Sequence, residues 1–165
     1  MSTKYSDDLL GIVQGNRIPP SARLGGRVHA AADAFELASD VDLQVNDIVR
    51  LCRLPSSAVI LECKLAVDDT TTISLTIHVG LYNIDGTVAD VDLFGTSIAF
   101  DNIPPWLDVR FEAANLDTAG QTLWQMLGLA FDPCKAYDLA ITPNAAAGLI
   151  IGSATLAYYI TYTDG

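Results

Sequence analysis

Positive charge is scarce in this chain: its 165 residues hold nine Lys and Arg against 20 Asp and Glu, a formal net charge of −11. The nine never form a run. Phosphate backbones are bound by clustered Lys and Arg, so nucleic acid is not expected as a partner. Histidine is scarcer still, with only His29 and His78. The three cysteines, Cys52, Cys63 and Cys134, are odd in number and lack a C-x-x-C spacing. Reduced thiols in a protein made in the cytoplasm are the expected state. No basic segment followed by an apolar one opens the chain, so no secretory signal is expected. The longest apolar-leaning run, 145–160, is interrupted by Ser153 and Thr155. It falls short of the ~18 residues a spanning helix needs, which predicts a strand and no membrane partner.

Catalytic signatures are missing too. There is no G-x-S-x-G, since Gly152-Ser153-Ala154 lacks the second glycine, and both histidines fall in predicted strands. Gly25-Gly26 has neither the lysine nor the spacing of a phosphate-binding loop. Cys63 lies on an apolar strand and reads as a buried structural thiol, while Cys134, after Pro133 in a loop, is the most reactive candidate. Asn83, Asp85, Gly86 and Asp92 imitate part of a calcium loop, but Leu81 stands where the first carboxylate belongs and the flanks are strand-like. These aspartates are expected to form turns. Together the absences predict no catalytic residues, no metal and no cofactor.

What is present is hydrophobic alternation. Half of the residues are hydrophobic and 18% are charged, a composition that folds. A single domain of this length buries roughly 70% of the surface its unfolded chain exposes, without disulfides or metal. Val28 to Leu37 alternates as a strand whose inner face stays open, and a second candidate, Ile48 to Leu54, is closed by Pro55-Ser56-Ser57. Val59, Leu61, Cys63, Leu65 and Val67 form the apolar face of a third. Ile73, Leu75, Ile77, Val79 and Leu81 do the same in a fourth, predicted to pair with the third as a hairpin through Asp68-Asp69. Asn83-Ile84-Asp85-Gly86 is a turn. Asp90 to Phe94 leads into a loop-rich middle ending at Pro104-Pro105-Trp106, and Val109 to Phe111 is a short strand at most. Thr118-Ala119-Gly120-Gln121 fits a capping box for one short helix stopped near Gly128. Tyr137 to Thr142 is a strand broken by Pro143-Asn144, and the last strand runs from about Gly148 to Thr163. Many strands with turns and little helix predict an antiparallel β-sandwich or partly closed barrel over 27–165.

Residues 1–26 read differently, as an extended N-terminal arm. Ser6 can cap a short helix that Gly11 and Gly15 limit, Pro19-Pro20 imposes an extended stretch, and Gly25-Gly26 supplies a hinge. Within residues 1–27, Lys4, Arg17, Arg23 and Arg27 against Asp7 and Asp8 give +2, while the other 138 residues carry five basic and 18 acidic side chains, −13. A basic leader before an acidic body suits docking on an acidic neighbour, and equally fits a solvated terminal tail with incidental charge. Arg17, Pro19, Pro20, Arg23 and Arg27 are the expected contact residues. Trp106, Tyr158, Tyr159 and Tyr162 are the expected oligomer interface, because Tyr and Trp favour buried interface centres. Trp124 is expected in the core.

The order Gly25-Gly26-Arg27-Val28, then Cys52-Arg53-Leu54-Pro55, the amphipathic strands Val59 to Val67 and Ile73 to Tyr82, Gly80-Leu81-Tyr82, Asp85-Gly86, Asp90 to Phe94 and a closing Thr- and Tyr-rich strand resembles the small head decoration, or cement, proteins of tailed bacteriophages. The resemblance covers about residues 25–163, leaves the stretch from Asn102 to Pro133 unmatched and contains no catalytic motif. It implies a jelly-roll-like sandwich and a homotrimer. It further implies binding to the major capsid protein on the outer surface of the virion. Two other classes fit the composition. One is a receptor- or glycan-binding module of a head fibre or tail, using the loops around Asp85 to Asp92 and Trp106. The other is a small β-barrel enzyme or ligand-binding protein of the cupin kind, which lacks the metal-ligand histidines.

Overall fold

Eight strands among the described residues divide equally between two sheets, whose apolar faces are buried against each other. The computed structural model describes residues 27–36, 45–67, 75–99, 106–110, 118–146 and 155–164. The strands are β1 (Val28–Glu36), β2 (Val49–Pro55), β3 (Ala58–Val67), β4 (Leu75–Asn83), β5 (Val88–Ala99), β6 (Leu107–Asp108), β7 (Ala136–Ala146) and β8 (Thr155–Asp164). One short helix, α1 (Leu123–Met126), precedes β7. One sheet has the order β1-β8-β3-β6 and the other β2-β7-β4-β5. All pairings are antiparallel. The pairs β1·β8, β2·β7, β3·β6 and β4·β5 are those of one long hairpin with its tip at β4–β5, rolled so that successive pairs fall in alternate sheets. That is the jelly roll.

The core lies between the sheets. Ile60, Cys63, Leu65, Leu156 and Ile160 from one sheet face Leu54, Ile77, Val79, Leu81, Leu139 and Ile141 from the other, with Val109 and Leu123 among them. Each of the large aliphatics contributes roughly 1.5–3 kcal/mol on burial.

Several expectations are corrected. β3 and β4 do not form a hairpin; they lie in different sheets. Their alternations are alike because both face one interior, and alternation fixes the buried face without fixing the partner. The inner face of β3 changes parity at a bulge between Ile60 and Glu62, so Ala58 and Ile60, then Cys63 and Leu65, point inward while Leu61 is 42% exposed. The middle is less loop-rich than expected, because β5 continues through Ala99. β7 runs on through Pro143, which pairs with Ile77 beside an irregularity where a missing N–H is tolerated. The helix cap sits one turn later than expected: Gln125 Oε1 accepts the N–H of Thr122 at 3.0 Å, the same Thr-x-x-Gln pattern as at Thr118. Gly128, at φ +68°, ends α1 and donates to the Gln125 carbonyl at 2.9 Å. The Asp68-Asp69 turn and the leader lie outside the described residues.

Candidate functional site

Ser56, buried in the turn between β2 and β3, pins a segment that has no strand partner. Its hydroxyl donates to Asp132 Oδ1 at 2.5 Å and accepts the Lys135 N–H at 3.2 Å, and its backbone N–H reaches the Lys135 carbonyl at 2.7 Å. Lys135 continues across the end of the sandwich. Its Nζ donates to Asn83 Oδ1 at 2.8 Å and stands 4.8 Å from the centre of the Tyr137 ring. These contacts hold the chain between α1 and β7 against the β4–β5 turn. Between them a groove of about 530 Å³ is lined by Asn83, Ile84, Asp85, Lys135 and Ala136. A smaller recess adjoins it, sharing Asn83 and Lys135 and bounded by Ala89, Leu127 and Leu129. The same two segments carry large exposed apolar side chains: Ile84 and Val88 on one, Leu129 and Phe131 on the other, with Phe131 74% exposed. An end dressed in this way suits contact with another protein surface. Sequence reasoning named none of the four as a contact residue, although the Asp85 to Asp92 loop it offered to a glycan-binding module spans Val88. The available signal was apolar residues placed after a helix stop and inside a turn, where no periodicity offers to bury them.

Of the expected interface residues, Trp106 is 49% exposed and held at φ +70° beside β6. Tyr159 and Tyr162 are half-buried. Tyr158 is 7% exposed and packs inside its own subunit, on the inward parity it shares with Leu156 and Ile160. Trp124 is half-buried rather than a core residue. Arg27 is exposed, and Arg17, Pro19, Pro20 and Arg23 lie outside the described residues.

The chemistry-bearing residues are dispersed. His29 stacks on Tyr162 with ring centres 5.1 Å apart and pairs with Asp164 at 3.1 Å, in the first sheet. His78 belongs to the second and accepts the Ser97 N–H at 3.4 Å. Ser153 lies outside the described residues. Asp85 accepts both the N–H and the hydroxyl of Thr87, at 2.9 and 2.7 Å, which lowers its carboxyl from the usual range. Both bonds fall on Oδ1 and close the turn that its sequence context predicts. Asp92 accepts the Thr96 hydroxyl at 2.9 Å, and burial pushes the Asp90 carboxyl up. Among the described residues no three His, Cys, Asp or Glu side chains converge to hold a metal ion. None of the described helices is long and apolar enough to cross a membrane.

The cysteines differ in the way their positions require. Burial, with the Asp138 charge nearby, pushes Cys52 up to about 12, and full burial pushes Cys63 up as well, whereas Cys134 is exposed at φ +50°. A thiolate-trapping reagent at pH 8 is therefore expected to titrate one thiol rapidly in the folded protein and all three only in denaturant. Peptide mapping that finds Cys52 or Cys63 labelled as fast as Cys134 would contradict this placement.

No protein-family profile and no curated protein matches this chain. Solved structures do. It is similar to a chain of the cyanophage Pam1 capsid asymmetric unit over 100% of both chains, at 17% identity and a TM-score of 0.54. A chain of the Ralstonia phage GP4 capsid is 22% identical over 92% of this chain and 94% of that one, with a TM-score of 0.47. A chain of the acid-stable Helicobacter pylori bacteriophage KHP30 capsid is 16% identical over 82% and 86%, with a TM-score of 0.40. The first likeness shows a shared fold, running the full length of this jelly roll and of a chain within a phage capsid asymmetric unit.

Proposed function

We propose that this chain is a structural, non-enzymatic virion protein: a decoration or cement subunit that binds the outer surface of a tailed-phage head as a homotrimer. The observation that carries the reading is the end-to-end sharing of fold with a chain of the Pam1 capsid asymmetric unit. The exposed apolar end around Phe131 and the exposed Trp106 supply surface for contacts with neighbours. The net charge of −11 keeps free subunits soluble. The mechanism is geometric. A subunit that touches several capsid subunits adds interface where the shell is weakest, and repetition around a symmetry axis turns modest contacts into avidity.

Sedimentation of the purified chain at tens of micromolar is expected to give a trimer. The chain is also expected to co-sediment with heads assembled from the major capsid protein encoded with it. A monomer that stays in the supernatant in the presence of those heads would refute the reading.

A further inference from the structure

Among the described residues the two sheets have four edges, β1, β6, β2 and β5, and three of these are blunted by breaks or brevity. β2 carries Arg50 and Arg53, breaks register at Leu51 and ends at Pro55. β5 changes register repeatedly along β4 and holds Ser97 at φ +53°. β6 is two residues long. β1 carries two acidic residues, Asp33 and Glu36, but has no break in register and no proline. It pairs with β8 over nine consecutive residues, and it contains no Lys or Arg. Long regular edges recruit strands from other chains unless something prevents it.

The direction of the free groups follows from one hydrogen bond. The Ala34 N–H is taken by its neighbour Asp33 Oδ1 at 2.8 Å rather than by β8. N–H groups alternate sides along an antiparallel strand, so those of Ala30 and Ala32 point to the same open side. Ala30, Ala32 and Ala34 are exposed, and among the described residues no strand pairs with this side.

We propose that residues 12–18 of a neighbouring copy, Ile12-Val13-Gln14-Gly15-Asn16-Arg17-Ile18, add as a strand to the free edge of β1, so that leaders are exchanged around the oligomer. This rests on the homo-oligomer reading above. The segment retains every backbone donor and brings Arg17 toward an edge bearing Asp33. Folding back on its own subunit is opposed by a proline: a two-residue turn at Gly25-Gly26 would set Pro19 opposite Ala32, whose backbone groups face the open side, and Pro19 has no N–H to return in the middle of the strand. The eight residues 19–26 instead reach about 25 Å when extended. That stretch is long enough for residues 12–18 to lie off their own subunit, as the exchange requires.

The test is amide hydrogen exchange by NMR on the full chain, with sedimentation of the same samples. Ala30 and Ala32 are expected to exchange about 100-fold or more slower than a free peptide. In the full-chain variant Val13→Pro/Gln14→Pro, which leaves the sandwich untouched, that protection is expected to vanish while Ala31, bonded to β8, keeps its own. Unprotected Ala30 and Ala32 in a wild-type oligomer overturn the exchange and leave the oligomer standing. Protection that survives in the variant means another strand occupies the edge and also overturns it. A monomeric wild type overturns both readings.

Discussion

Gly80→Ala is expected to destabilise the protein by about 3 kcal/mol or more, the upper end of what overpacking costs. At this chain length that is a fall of about 6–12 °C in Tm. A Cβ on Gly80 would lie 2.2 Å from the Asp90 carbonyl oxygen and 2.3 and 2.4 Å from the carbonyl carbon and oxygen of Val91. All three are backbone atoms, so no side-chain rotation relieves the contact. The crowding comes from the strand pairing. Val79 is opposite Gly95 and Leu81 opposite Asp90, so Val91, Asp92, Leu93 and Phe94 are all accommodated across from Gly80 alone. The excess chain is pressed against the outer face of β4, where Ala140, the partner of Gly80 on β7, is fully buried. Tyr82 crosses the same face, its hydroxyl 2.7 Å from that of Thr142.

Gly128→Ala is the matching control. Gly128 is at φ +68°, and a methyl group added there would meet nothing within 4 Å, so only the left-handed backbone resists the substitution, at about 1–2 kcal/mol. Thermal unfolding of both variants separates lack of room from backbone strain. If Gly80→Ala melts within a degree or two of wild type, the β5 backbone does not stand against β4 there.

The same bulge explains part of what could be read in advance. Asp90 to Phe94 has turn-like composition inside what proved to be a strand, because a bulge of this size takes loop residues and still returns Phe94 to the core. The alternation of β3, β4 and β8 was legible since each buries one face. The hairpin between β3 and β4 was not, since two strands facing one core look alike whether they are neighbours or sit in opposite sheets. The parity expected for β3 held at Cys63 and Leu65 and failed at Val59 and Leu61, on the N-terminal side of the bulge. The dispersed histidines and the turn at Asp85 were legible from their neighbours, whereas Asp92, also expected in a turn, lies within β5. The apolar end was missed because Ile84 and Val88 lie in or beside a turn, and Leu129 and Phe131 after a helix stop. Such residues announce exposure only once the core is known to be complete without them.

Asp138 provides the last expectation, a stability term whose pH dependence reverses with its partners. It is 4% exposed on β7. Arg53 binds it through Nε at 2.8 Å and Nη2 at 3.3 Å, and Arg50 through Nη1 at 3.1 Å while also reaching the Ile84 carbonyl. The Arg53 hydrogen bond, aided by both guanidinium charges, holds the Asp138 carboxyl below the usual carboxylate range against the opposing effect of burial. A carboxyl lowered in the folded state stabilises fully above its unfolded value of about 3.9, and that contribution fades as pH falls through the lower folded value. Asp138→Asn is therefore expected to cost about 1–3 kcal/mol at pH 7, the range for a buried group deprived of its charge-assisted partners, and much less near pH 2. The guanidiniums stay 41% and 55% exposed and can rehydrate when the carboxylate is gone. The converse does not hold. In Arg50→Ala/Arg53→Ala the carboxylate loses both counter-charges, and the burial that outlasts the two side chains is unopposed, so its folded-state value rises above the unfolded one. Its contribution then falls as pH rises past about 4. Chemical denaturation from pH 2 to 7 is expected to show the penalty of the arginine pair growing with pH, and adding Asp138→Asn to that pair is expected to restore part of the loss at pH 7. A penalty that does not change across this range would mean that Asp138 is not the charge the two arginines hold.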